Sequence, residues 1–221
     1  VSTGRSTMIM TLASDGSLAK QPHPIPALEG LVVRQIVPSR KQGMWFVGEY
    51  GAIRMHEDRV AERWGTAQGL SSKFVRALHE QADGTLWIGT YGAGLNRIAD
   101  GKLTVYHQGN GLYDDTVSCI LEDRDGRLWL SGNRGITMVD PASATSTSIQ
   151  SRGFAGSDGL IPAETNGGNH GSCIADDAGR FWFALVEGFA VLDPNQYQPS
   201  AAPPPPAHIE RVSVAGTPRN P

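Results

Sequence analysis

The chain has 221 residues, 39% of them hydrophobic, which is enough apolar material for a real core and too much for a disordered segment. Its 19 Lys and Arg stand against 22 Asp and Glu, and a net charge of −3 gives no general attraction to nucleic acid or to an anionic membrane. The longest apolar run, Phe181 to Val186, stops at Glu187, far short of the roughly 20 residues that cross a bilayer. The 27 Gly and 14 Pro, with aromatics spread thinly, point to many short strands joined by tight turns.

The chain opens Val1-Ser2-Thr3, so a signal peptide or membrane anchor is to be sought outside these residues. Residues 1 to 18 read as the second half of a repeat, because Thr3-Gly4 parallels Thr90-Tyr91-Gly92 and Asp15-Gly16 parallels Asp100-Gly101. A period then runs through the sequence. Trp45, Trp87, Trp129 and Trp182 are separated by 42, 42 and 53 residues, and Gly-Leu pairs at Gly30, Gly69, Gly111 and Gly159 precede them. In the clearest repeat, Gly69 to Gln108, turn signals cut the chain into Phe74 to Glu80, Thr85 to Thr90, Leu95 to Ile98 and Leu103 to His107. Asp83-Gly84 and Asp100-Gly101 mark its first and last hairpins, since Asp-Gly supplies the positive φ of a tight turn. The next repeat copies it with Val117 to Glu122, Asp125-Gly126, Leu128 to Ser131 and Ile136 to Asp140. The length variation near Pro141 to Gly156 and near Ile161 to Gly171 reads as loops.

No segment holds a 3.6-residue apolar period, which excludes a helical solenoid. The predicted fold is all-β: about four and a half β-propeller blades of four antiparallel strands over residues 1–198, forming an open arc or a ring completed by residues outside this chain. The repeated Trp is expected to fill the space between adjacent sheets. Cys119 and Cys173 sit in Ser-Cys-Ile triplets of successive repeats and read as buried free thiols, because equivalent strands of neighbouring blades usually exceed the roughly 4.4 to 6.8 Å between Cα atoms that a disulfide needs. Pro203 to Pro206 mark a stiff linker over 199–206, and His208 to Val214 read as the opening strand of a truncated β-sandwich over 207–221.

The segments Gly69-Leu70-Ser71-Ser72, Val75, Asp83-Gly84-Thr85-Leu86-Trp87-Ile88-Gly89-Thr90 and Gly94-Leu95-Asn96-Arg97 resemble the two-component regulator propeller repeat. Gly111-Leu112, Val117, Glu122 to Leu130 and Gly135-Ile136 repeat the likeness. The first repeat departs from it by putting Lys41-Gln42-Gly43 in place of Asp-Gly, and the last by carrying Ala184 in place of Gly. Glu164-Thr165-Asn166, Phe181-Trp182-Phe183, Asp193-Pro194 and Pro203 to Val214 look like the last blade of such proteins and the proline-rich lead into a triple-tyrosine domain. The resemblance implies the periplasmic or extracellular sensor of an inner-membrane receptor whose output is a histidine kinase or diguanylate cyclase. It also implies remaining blades, a triple-tyrosine domain and a homodimer of the full receptor as partners.

Asp123-Arg124-Asp125-Gly126 and Asp176-Asp177-Ala178-Gly179 lack the twelve-residue ligand set of a calcium loop and read as hairpin turns. Gly92-Ala93-Gly94 leads into a strand and so lacks the helix N-terminus of a phosphate loop. The six His show no zinc-type spacing, and no metal or cofactor is predicted. Ser143 to Ser151 reads as a solvated loop without a nucleophile motif. Glu164 and His170 share one long loop, the one acid–base pairing visible by position, and no catalytic residue is assigned. A lyase of the streptogramin-inactivating type, with His170 at the axis, and a purely protein-binding platform are the alternatives. The favoured expectation is a ligand site for a small molecule or oligosaccharide where loops converge: Tyr50, Tyr91, Arg134 and Glu187 after the central strands, and Lys73, Asp115 and Asn166 in the loops leading into each blade.

Overall fold

A computed structural model describes residues 8–9, 23–161, 163–167, 171–198, 212–214 and 217–219, with backbone alone for 8–9, 23–24 and the last two stretches. Each repeat folds as an antiparallel sheet whose strands pair in sequence order. The first contains β3 (Val32–Pro38), β4 (Met44–Glu49), β5 (Gly51–His56) and β6 (Arg59–Trp64); it follows a short pair of β1 (Met8–Ile9) with β2 (His23–Pro24). The second contains β7 (Val75–Glu80), β8 (Leu86–Thr90), β9 (Leu95–Ala99) and β10 (Lys102–Tyr106). The third contains β11 (Cys119–Glu122), β12 (Leu128–Gly132), β13 (Gly135–Asp140) and β14 (Gln150–Phe154). The fourth has three strands, β15 (Cys173–Ala175), β16 (Phe181–Ala184) and β17 (Phe189–Leu192). These are propeller blades.

The hairpins follow the turn chemistry. Asp100 and Gly101 both take positive φ, 50° and 74°, as a two-residue turn joining right-twisted strands demands. The Asp123 carboxylate accepts from the backbone N–H of Asp125 and of Arg127, and that of Asp176 accepts from Ala178 and Arg180, so both acidic loops are hairpin turns held by their own side chains.

Blades stack through the repeated indoles. Trp45 shares a core with Val75, Leu78, Leu86 and Ile88 of the second blade, and Trp87 with Val117, Ile120, Leu128 and Leu130 of the third. Trp129 packs with Phe181 and Phe183 of the fourth. All three indoles are 0% exposed, and at about 25 cal/mol per Å² a ring of roughly 200 Å² contributes on the order of 5 kcal/mol to the seam it fills. Trp182 departs from this pattern and is half-buried. Among the described residues no fifth sheet covers its face, where Ile174, Val191 and Phe189 are also exposed. Tyr106, fully buried in the second seam, donates to the Thr145 carbonyl at 2.6 Å; burial pushes its hydroxyl pKa up, with Arg97 partly opposing.

The indole N–H groups are satisfied by a residue six positions earlier: Gln81 for Trp87 at 2.7 Å, Asp123 for Trp129 at 2.8 Å and Asp176 for Trp182 at 2.9 Å. In the first blade that position is Ser39, too short to serve. Trp45 instead donates at 3.1 Å to Glu80 of the next blade, whose same oxygen also accepts from the Ser39 hydroxyl at 2.9 Å and the Arg40 backbone at 3.0 Å. Glu122, the equivalent residue one blade on, meets His79 at 2.8 Å and accepts from Gln81 at 2.7 Å. Carboxylates at the ends of innermost strands thus tie each of these seams.

Two expectations need correction. Cys119 and Cys173 are not free thiols but a disulfide, with Cα atoms 6.1 Å apart. Innermost strands converge toward the propeller axis, so equivalent positions there come closer than the mean blade spacing suggests. Residues 150–154, expected to lie in a loop, are the outer strand β14, which pairs with β13 from Asp140↔Gln150 to Ile136↔Phe154. Its polar, Gly-containing stretch hid it, because an outermost strand has little apolar burial to advertise; the connection from β13 is residues 141–149, opening with the short turn Pro141–Ser143. Of the strand expected after the prolines, the described part is Val212–Val214 (β18), which pairs with Thr217–Arg219 (β19). The half-repeat over 1–18 and the proline linker fall mainly outside the described residues.

Candidate functional site

Antiparallel pairing in sequence order sends the loops after the second strand of each blade, and the loops leading into each blade, to the same end of the molecule. All seven expected ligand residues belong to these loops. Backbone hydrogen bonds lock several of them together: Tyr50 N–H donates to Lys73 O at 2.7 Å, Tyr91 N–H to Phe74 O at 2.9 Å, Gly94 N–H to Asp115 O at 2.7 Å, and Asn166 N–H to Ala184 O at 2.9 Å.

The first two blades meet in a row of aromatic and cationic side chains. Tyr50 is 59% exposed, Phe74 41% and Tyr91 50%. The Lys73 ammonium stands 5.5 Å from the centre of the Tyr50 ring and 5.1 Å from that of Phe74, while the Arg76 guanidinium covers the Tyr91 ring at 5.2 Å. Arg76 owes its position to a β-bulge: the pairing of β7 with β8 slips between Val75 and Ala77. The same slip occurs between Val33 and Gln35 in the first blade and singles out Arg34, which pairs with Glu49 at 2.8 Å. A bulge re-aims the extra residue, and here it does so at equivalent points of two blades. In the third and fourth blades the same position holds Ser118 and Ser172, both buried.

Beside this row lies a cavity of about 190 Å³ lined by Arg76, Tyr91, Ser118, Asn133, Glu164 and Asn166, which draws on three successive blades. It brings together Tyr91 and Asn166 of the expected set. A second cleft, about 370 Å³, flanks Tyr50 on its far side.

Other expected residues have different duties. Arg134 is exposed, but its guanidinium lies over Tyr113 at 4.7 Å and donates to the Tyr113 carbonyl at 3.2 Å. The Asp115 carboxylate accepts from the Gln108 backbone at 2.7 Å and serves its own loop. Asp114 is buried and accepts from Thr116 at 2.9 Å and Arg134 at 2.7 Å, a structural role. Glu187 is exposed in the last loop and does not line the cavity. His170 lies outside the described residues, so its pairing with Glu164 has no geometry here. Among the described residues no group of three His, Cys, Asp or Glu converges as a metal site. Arg34 and Arg76 were missed in the sequence, although aligning Val33-Arg34-Gln35-Ile36, Val75-Arg76-Ala77-Leu78 and Val117-Ser118-Cys119-Ile120 puts them in one column.

Residues 69–92 and 114–134, which span the two inner strands of the second and third blades, match the two-component regulator propeller family. Two of its repeats thus match the two-component regulator propeller repeat. No curated protein matches it in sequence. Among solved structures, the propeller is similar to the extracellular domain of the putative hybrid two-component system BT4673 from B. thetaiotaomicron, at 21% identity and a TM-score of 0.65 over 86% of this chain and 30% of that one. The extracellular domain of BT3049 from the same organism gives 18% identity and a TM-score of 0.64 over 86% and 28%. A virginiamycin B lyase from Staphylococcus aureus gives 17% identity and 0.56 over 84% and 62%. At these identities the likeness is one of fold. The chain spans less than a third of the length of the two extracellular domains it matches. No helix among the described residues is long and apolar enough to cross a membrane.

Proposed function

We propose that this chain is a ligand-sensing, extracytoplasmic propeller segment of a membrane signal-transduction receptor, without catalytic activity of its own. The observation that carries the reading is the convergence at one end of two bulge arginines, exposed ring faces and a cavity drawn from three blades. Such an end offers a shared surface that no single blade has, and small shifts between blades alter it. The inter-blade disulfide supports an oxidising compartment, where such bonds form and persist. The fold likeness to extracellular domains of two-component systems supports the same placement.

In this reading the uncovered Trp182 face meets further blades of the same protein, the segment after residue 198 leads to a β-sandwich domain, and the output is a kinase or cyclase elsewhere in a dimeric receptor. Ligand binding must favour one receptor arrangement over the other for a signal to result. The test is a thermal-shift screen of candidate extracytoplasmic small molecules and oligosaccharides against the wild type and Tyr91→Ala. A ligand at about 100 times its Kd stabilises by roughly 2.7 kcal/mol, and the shift is expected to vanish in the variant. Shifts that survive Tyr91→Ala together with Tyr50→Ala would move the site elsewhere.

A further inference from the structure

The ligand-binding reading leaves the ligand's chemistry open, and the row between the first two blades narrows it. Its backbone is continuous: Tyr50 is bonded to Lys73, Glu49 bridges to Phe74, and Phe74 is bonded to Tyr91. The ring faces and cations are therefore fixed relative to one another by strand pairing, not by side-chain chance. Lys73 is exposed, has no carboxylate partner among the described residues, and stands over two aromatic faces that orient its ammonium without neutralising it. Arg76 adds a second positive group three residues on, at the bulge that opens β7.

The acids of this end stand on either side of the row. Glu29 lines the cleft beside Tyr50 and Glu164 the cavity that Arg76 and Tyr91 share, Glu49 is engaged by Arg34, and Asp114, Asp115 and Glu187 belong to the third and fourth blades. The site is thus cationic and aromatic along the ridge, with a carboxylate in each flanking cleft. Clefts of about 370 and 190 Å³ flank the row, each small, so a slender ligand lying across the ridge suits it better than a bulky one buried in a single hole.

From this the geometry points to an elongated ligand of flat ring units bearing an anionic group, that is, an acidic sugar chain whose rings lie on Tyr50 and Tyr91 and whose carboxylate or sulfate meets Lys73 and Arg76. A nucleic acid strand also offers rings and negative charge. It carries one phosphate per nucleotide, however, and would run that charge past the carboxylates of both flanking clefts, Glu29 and Glu164, where a sparsely charged sugar chain need not. The inference rests on the ligand-binding reading above and adds the charge.

The experiment titrates the full chain with a uronic-acid oligosaccharide and with the same oligosaccharide after its carboxyls are reduced to alcohols. The acidic form is expected to bind at least about tenfold more tightly at low ionic strength, the scale of a charge-assisted contact. Lys73→Gln should bring the two within about twofold, whereas Lys102→Gln, a charge change on the outermost strand of the second blade, should preserve the difference. Equal binding of both forms, abolished by Tyr91→Ala, would keep the ligand site and overturn its preference for an anion. Preference that survives Lys73→Gln in company with Arg76→Gln would overturn it too. So would tighter binding of a single-stranded oligonucleotide, or no binding of either sugar by a chain whose screen finds another ligand.

Discussion

Replacing Glu80 with Ala tests the seam between the first two blades directly. The residue is 4% exposed, and one of its oxygens accepts from the Trp45 indole at 3.1 Å, the Arg40 backbone at 3.0 Å and the Ser39 hydroxyl at 2.9 Å. In the alanine variant the Arg40 and Ser39 donors, which lie at the margin, turn to water at small cost. The Trp45 N–H is fully buried and cannot. An orphaned buried donor costs about 1–3 kcal/mol, and loss of the charge-assisted bonds brings the total to roughly 3 kcal/mol. For a chain of this size that is a fall of about 6–12 °C in Tm. The assay is thermal unfolding of the wild type, Glu80→Ala, Trp45→Phe and the double variant. Because Trp45→Phe removes the donor, the double variant should be less destabilised than the sum of the singles by about 1 kcal/mol or more. A Glu80→Ala chain melting within about 2 °C of wild type, or strict additivity in the cycle, would refute the argument that this carboxylate clamps the two blades.

The disulfide closes a separation of 54 residues, for which loop entropy gives about 4 kcal/mol; the Cys119→Ser, Cys173→Ser double variant should melt correspondingly lower, and added dithiol should lower the wild type alone. Gly89 lies against the Val117 side chain and carbonyl of the next blade, so close that an added Cβ has no room. Gly89→Ala should therefore cost about 1–3 kcal/mol in urea unfolding, and a neutral result would mean that the second seam is looser than described. The Trp182 indole, with help from Arg180, holds the Asp176 carboxyl at about 2, below its ordinary 3.8. The folded value is the lower one, so this contribution is present above about pH 3.8 and lost as pH falls towards 2. The Trp182 indole N–H signal in an amide NMR spectrum of the wild type, assigned by its loss in Trp182→Phe, should report a titration in that window which disappears in Asp176→Asn.

The four Trp-bearing repeats, the inner strands and the hairpins of the second and third repeats were legible in the residue order because they depend on near neighbours. A Trp every 42 residues, strand-length apolar runs and Asp-Gly turns each act within one sheet or on the next. The outer strand β14 was not legible, since an edge strand can be polar. Nor was the half-burial of Trp182, whose surroundings in sequence match those of the buried indoles and which differs in having no sheet over it among the described residues. The loops expected to hold a ligand do share one end, but which side chains stay available there depended on how the loops folded: Asp115 turned inward to its own loop, and Arg134 lay down on Tyr113. The disulfide and the paired bulge arginines were likewise settled only by the tertiary structure. Period and turn chemistry are local properties that one strand can carry, whereas the approach of Cys119 to Cys173 and the alignment of Arg34 with Arg76 arise from the angle at which whole sheets pack about an axis, a quantity no single repeat contains.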